Sequence, residues 1–126
     1  LLIEGAMMAA DMAPGLTRKK FGFEQLAMHN EAQWHALLQD ARGRAQRGVS
    51  MQLPECRGFD WDPAVIRRAQ ENIARLGLQH VVRVSCKPLT AVRKPTHRPL
   101  PSGLLVCNPP YGERIGDKAR LGALYR

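Results

Sequence analysis

Residues 56–86 read CRGFDWDPAVIRRAQENIARLGLQHVVRVSC, and their patterning decides the fold class. Cys56 to Asp60 reads as a short strand. Asp62-Pro63 then supplies an N-cap followed by proline at the first helical position, where its missing N–H is no loss. Ile66, Ala69, Ile73 and Leu76 recur at helical spacing over 63–76, and Gly77 is the stop signal. Val81 to Cys86 follows as a second strand. Strand, helix and strand in that order predict a crossover between parallel neighbours, the unit of an α/β sheet flanked by helices.

The pattern continues in both directions. Downstream, Lys87 to Ser102 holds Pro88, Pro95, Pro99 and Pro101, which predicts a loop or a frayed turn. Leu104 to Cys107 is apolar throughout, as a strand buried on both faces should be. Asn108 to Gly116 reads as a loop, and a helix begins at Asp117. Upstream, Asn30 is the N-cap of a helix over 31–47. Trp34, Leu38, Ala41 and Ala45 share one face of it, and Arg42, Arg44 and Arg47 sit near its negative end. Residues 13–29 are irregular and carry the basic-aromatic patch Arg18-Lys19-Lys20-Phe21. Residues 1–11 form a helix with Leu2, Ile3, Ala6, Met7 and Ala10 on its apolar stripe, ending before Pro14-Gly15. There is no internal repeat. The order is that of a doubly wound fold, yet three short strands make a thin sheet, and the chain opens and closes inside helices. Residues 1–126 are therefore expected to be a fragment of a single domain.

Composition narrows the function. The chain has 126 residues, 44% hydrophobic and 24% charged, which excludes collagenous and broadly disordered classes. Its longest mostly apolar stretch, Leu1 to Ala13, is interrupted by Glu4 and Asp11 and is too short to span a bilayer. Nineteen Lys and Arg against eleven Asp and Glu give +8, and most of the cations are Arg. That surplus favours a polyanion through counterion release, and guanidinium suits phosphate geometry. Cys56, Cys86 and Cys107 are odd in number and form no CxxC pair, so reduced thiols in a cytoplasmic protein are expected. His29, His35, His80 and His97 lack ligand spacing, so no metal is expected. Nor is a secretory signal.

Two motifs carry chemistry. Asn108-Pro109-Pro110-Tyr111 directly follows the apolar run Leu104–Cys107. The Asn108 side-chain oxygen and the Pro109 carbonyl can both point at one amino group, while the prolines restrict the backbone. Accepting both hydrogens of a planar amine aims its lone pair at an electrophile, and Tyr111 offers a flat face to a heterocycle. The second motif is Gly58-Phe59-Asp60-Trp61-Asp62-Pro63. A carboxylate at a strand's carboxyl end can accept from the vicinal hydroxyls of a ribose. Asp60 is the candidate for that role, while Asp62 caps the following helix and stands beside it at the same cofactor edge.

These motifs, together with Leu1-Leu2-Ile3-Glu4-Gly5-Ala6-Met7-Met8-Ala9-Ala10, Ala13-Pro14-Gly15 and the extension Gly112-Glu113-Arg114, resemble the class I S-adenosylmethionine-dependent RNA methyltransferases. Within them, the chain is most similar to the guanine-N2-methylating half of the bacterial bifunctional large-subunit ribosomal RNA methyltransferases of the K/L type. The resemblance covers nearly the whole chain. It implies a partial Rossmann-like domain, whose first strand and Gly-rich loop would precede Leu1 and whose last strands would follow Arg126.

The resemblance also implies S-adenosyl-L-methionine as cofactor and large-subunit ribosomal RNA as partner. Asp60 would hold the cofactor ribose, and Asn108, Pro109, Pro110 and Tyr111 would form the catalytic pocket for a flipped guanine, with Asn108 also beside the cofactor. Lys87-Pro88 stands where such enzymes often place an Asp near adenine, so an apolar contact from Pro88 or Leu89 is the expected substitute. Arg18, Lys19, Lys20 and Arg114 are candidates for RNA backbone contacts. These 126 residues alone are expected to bind cofactor weakly or not at all. Adenine-N6 or protein-glutamine methylation, or a non-catalytic basic RNA-binding module, are the competing readings.

Overall fold

The computed structural model describes residues 1–93 and 102–107. The chain divides into two compact units, Leu1–Arg93 and Lys94–Arg126. In the first, the elements run α1 (Leu2–Ala9), a 3-10 turn (Gly22–Gln25), α2 (Glu31–Val49), β1 (Cys56–Asp60), α3 (Pro63–Arg75), β2 (Val82–Cys86) and a second 3-10 turn (Leu89–Ala91). The expected strand–helix–strand unit is there. β1 and β2 pair in parallel, with Cys56 opposite Val82 and Asp60 opposite Cys86.

The local chemistry explains the boundaries. Asn30 Oδ1 accepts from the Gln33 amide at 3.0 Å to open α2, and Asp62 Oδ1 accepts from the Ala64 amide at 2.7 Å to open α3. Gly77, at φ 69°, closes α3: its amide donates to the Ala74 carbonyl at 3.1 Å, and the Leu78 amide donates to the Ile73 carbonyl at 3.1 Å. This paired arrangement satisfies carbonyls that the helix end would leave orphaned. The same arrangement closes α1 without a glycine. Asp11 takes φ 50°, its amide donates to Met8 at 3.2 Å, and the Met12 amide donates to Met7 at 2.9 Å. Helix α1 therefore stops at an aspartate ahead of Pro14-Gly15.

The core is small and lies on one face of the two-stranded sheet. Ala6 of α1, Ile73 of α3, and Leu78, Val81 and Val82 are buried together, with Leu2, Ile3, Met7, Val49, Leu53, Cys56, Leu76 and Val84 packed against them. Helix α1 reaches the sheet because residue 58 is glycine. A Cβ there would lie 2.7 Å from Leu2 Cδ2 and 3.1 Å from Val84 Cγ1. On the opposite face Arg57, Phe59 and Arg83 are exposed. Cys56 packs partly buried against the core, and burial pushes its thiol above its ordinary pKa. Cys56, Cys86 and Cys107 are free thiols.

One expectation is corrected. Leu104 to Cys107 forms no strand; Leu104 is 91% exposed and Leu105 81%. An apolar strand needs a ladder neighbour to take its N–H and C=O groups, and no described strand pairs with it. The helix expected from Asp117 and the loop over 108–116 lie outside the described residues. Among the described residues no helix is long and apolar enough to cross a membrane.

Candidate active site

The carboxyl edge of the sheet gathers the described half of the expected site. Register puts Asp60 opposite Cys86, so the chain leaves β1 toward α3 and leaves β2 toward Pro88 at the same end. The Lys87 amide donates to the Asp60 carbonyl at 2.8 Å, and the Cys86 thiol donates to the Trp61 carbonyl at 3.2 Å. These two bonds tie the strand exits together.

Within this edge the two aspartates have separate roles. Asp60 is half-buried and accepts from the Asp62 amide at 2.9 Å through Oδ1. Its Oδ2 takes no hydrogen bond among the described residues, so the carboxylate is oriented but still has accepting capacity. Asp62 spends Oδ1 on the α3 cap, as its sequence position beside Pro63 predicts. Pro88 is exposed at φ −67° and ψ 151°, and accepts the Ala91 amide at 3.0 Å to open the turn Leu89–Ala91. Asp60, Asp62 and Pro88 thus share one edge. Asn108, Pro109, Pro110, Tyr111 and Arg114 lie outside the described residues.

Two neighbours of this edge escaped the sequence reading. Trp61 is 74% exposed between the two aspartates, and Lys87 Nζ stands 5.5 Å from the Phe59 ring centroid across the strand pair. Trp61 was legible as an aromatic flanked by carboxylates. The Lys87–Phe59 contact had no local signal, because it depends on register.

The basic-aromatic patch is a second feature of the same unit. Arg18, Lys19 and Lys20 are all exposed, as expected, and the Arg18 guanidinium carbon lies 5.4 Å from the Phe21 centroid. Phe21 stacks on Phe23 at 5.4 Å, and both meet Trp34 of α2 edgewise, at 5.3 and 4.8 Å. Glu24 Oε1 accepts from the Phe21 amide at 3.1 Å and closes the turn. Arg44, read from sequence as a helix-end cation, instead makes a two-pronged ion pair with Asp11, at 2.6 and 2.8 Å. Among the described residues no cluster of His, Cys, Asp or Glu could hold a metal ion.

Comparison with known proteins places the chain in a family. The model of the RMKL-like, methyltransferase domain family matches residues 1–126. The Ribosomal RNA large subunit methyltransferase K/L of Cellvibrio japonicus is 48% identical over 125 residues, covering 98% of this chain and 17% of the relative. Its namesake in Methylococcus capsulatus is 47% identical over 126 residues, covering 100% of this chain and 16% of the relative. The chain thus spans about one-sixth of the length of these relatives. The crystal structure of SMU.472, a candidate methyltransferase complexed with SAH, superposes with a TM-score of 0.75 at 32% identity, over 98% of this chain and 31% of that one. The parallel pair, its flanking helices and the carboxylate at its carboxyl edge are a partial Rossmann-like methyltransferase fold, and the chain belongs to the RMKL-like methyltransferase domain family.

Proposed function

We propose that this chain is part of a single S-adenosylmethionine-dependent domain that methylates the exocyclic N2 amine of a guanine in large-subunit ribosomal RNA. The observation that carries the reading is Asp60: a half-buried carboxylate at the carboxyl end of a parallel strand, oriented through one oxygen and with the other taking no hydrogen bond among the described residues. The names of the relatives and the SAH in SMU.472 support cofactor and substrate class. The charge of +8, with Arg18, Lys19 and Lys20 exposed, supports a polyanion over a protein acceptor. On this reading the site of action is the cytoplasm.

S-adenosylmethionine supplies a methyl group on a sulfonium, an electrophile that needs no further activation. The residues here fit its nucleoside end. Asp60 would accept from the two ribose hydroxyls, Asp62 holds the first turn of α3 in place, and Pro88 and Leu89 would offer an apolar surface to the adenine. By their sequence, Asn108 and the Pro109 carbonyl would accept the two hydrogens of the guanine amine, Pro110 would restrict the backbone, and Tyr111 would stack on the flipped base. With both amine hydrogens accepted by Asn108 and Pro109, the amine lone pair would be aimed at the methyl group the cofactor supplies, and the proton lost on transfer would pass to water. No strong base is required, so orientation and approach distance supply most of the acceleration. Arg18, Lys19, Lys20 and Arg114 steady the RNA backbone.

The test grafts this chain in place of the matching residues of the Cellvibrio japonicus relative and introduces Asn108→Ala. Transfer of labelled methyl to large-subunit ribosomal RNA is expected to fall below detection, while calorimetry shows cofactor affinity nearly unchanged. Retained turnover removes Asn108 from the mechanism. Labelling of protein acceptors in preference to RNA overturns the substrate.

A further inference from the structure

The face of α2 that carries Trp34 lines a cleft of about 730 Å³ against the segment 16–29. Its walls combine two chemistries. Arg18 and Lys19 come from the segment, and Arg42 comes from α2, two turns beyond Trp34 and on the same side of the helix. None of these three cations makes an ion pair among the described residues, whereas Arg44, two positions beyond Arg42, pairs with Asp11. Trp34 is half-buried, and its indole N–H meets no protein acceptor among the described residues. His35 also opens onto the cleft.

Local contacts order the walls of the cleft. The cap at Asn30 fixes the start of α2, the Phe21–Phe23–Trp34 cluster pins the segment to it, and α2 is locked onto the end of α1 by the Asp11–Arg44 pair. Helix α1 in turn packs on the sheet that carries Asp60. Glu24 and Glu31 also line the cleft, but its three cations outnumber them, and a groove with a cationic surplus along an aromatic wall suits a ligand with anionic links and flat rings. A folded acidic protein would bring the first without the second, and a duplex would present phosphates with its rings stacked away.

We propose that this cleft binds an unpaired segment of the RNA substrate, with phosphates on Arg18, Lys19 and Arg42 and a base against the Trp34 side. The inference rests on the RNA-substrate reading above and extends it to a docking site formed by α2 and the segment 16–29.

A test that stands apart from catalysis uses the 126-residue chain and a 12-nucleotide oligouridylate. In a Trp61→Phe background, the remaining fluorescence reports Trp34, and it is expected to be quenched as the oligonucleotide saturates. Arg18→Ala with Arg42→Ala should weaken binding and lower the salt slope, log K against log salt, by about 1.4, at roughly 0.7 per single-strand phosphate. The paired Lys substitutions should keep the slope. Arg67→Ala with Arg68→Ala on α3 removes the same charge elsewhere and should change the slope much less. Equal losses from the two alanine pairs, or an unquenched Trp34, overturn the proposal. So does polyglutamate of matched charge binding as tightly as the oligonucleotide, which would assign the cleft to an acidic protein. A failed oligonucleotide titration beside normal methyl transfer in the grafted enzyme sinks the cleft alone. Normal binding here with no transfer there sinks the guanine methylation alone.

Discussion

Gly48 lies in the last turn of α2, and helix propensity alone predicts that alanine there would stabilise the protein by about 1 kcal/mol. The packing predicts the opposite sign. Gly48 is buried against the end of α1, and a Cβ built on it would penetrate the carbonyl group of Ala10 and lie 3.1 Å from Ala10 Cα. The obstacle is backbone, so no rotamer relieves it. The helices must part by on the order of 1 Å in an interior packed too closely to absorb it. Overpacking of this kind typically costs about 1–3 kcal/mol, and a backbone obstacle belongs at the upper end, so the net loss is about 2 kcal/mol. Gly43, one turn earlier, provides the internal control, because a Cβ there meets only the flexible end of Arg47 at 3.4 Å. Urea unfolding followed by far-ultraviolet circular dichroism should therefore move in opposite directions. With a slope of about 2 kcal/mol per molar, Gly48→Ala lowers the midpoint by about 1 M and Gly43→Ala raises it by up to about 0.5 M. A Gly48→Ala chain as stable as the parent would refute the close approach of α1 and α2.

The two aspartates at the sheet edge should separate by assay. On the proposed reading, Asp60→Asn in the grafted enzyme would remove charge-assisted bonds to the ribose and should weaken cofactor binding by roughly 10–100-fold in calorimetry. Asp62→Ala, which removes the α3 cap, should cost about 1 kcal/mol in urea unfolding and far less in cofactor affinity. The reverse pattern would exchange their roles. Asp11 gives a pH signature. Hydrogen bonds from Arg44, reinforced by its charge, hold the Asp11 carboxyl below the usual carboxylate range. Its folded pKa is thus depressed, so the stabilisation is complete above the unfolded value of about 3.9 and is lost as pH falls through the folded value. Asp11→Asn, which tolerates the same backbone, should flatten that acid limb of the urea midpoint; an unchanged limb would show that the pair does not contribute.

Much of the fold was legible because its signals are local. Asn30, Asp62-Pro63 and Gly77 each announce a helix end within three residues, and each makes the cap that its chemistry predicts. The parallel pairing followed from a helix too long for a hairpin between two short strands. The reading of Leu104–Cys107 went wrong for a related reason. An apolar run records what a segment gains by burial, whereas a strand also requires a neighbour to complete its ladder, and composition is silent on that. At the site, Asp60 was legible because strand ends are local features. The aromatic cleft was not, since Phe21 and Trp34 meet only after a turn and a helix have folded between them.

Asp11 shows how one residue can hide a boundary and create a contact. Glycine at that position would have marked the end of α1 in the sequence, as Gly77 marks α3, because glycine enters the left-handed region without cost. Aspartate enters it at modest cost and brings a carboxylate that glycine lacks. That carboxylate reaches Arg44, 33 residues away, and fastens α2 beside the point where Gly48 lets the two backbones touch. Two independent devices, one ionic and one steric, therefore fix the same joint. The cleft on α2 and the Asp60 edge of the sheet are connected through it, with α1 as the common support. Loosening the joint from either side should disturb the proposed RNA docking at the cleft before it disturbs the Asp60 edge, since α1 and α3 hold that edge without α2.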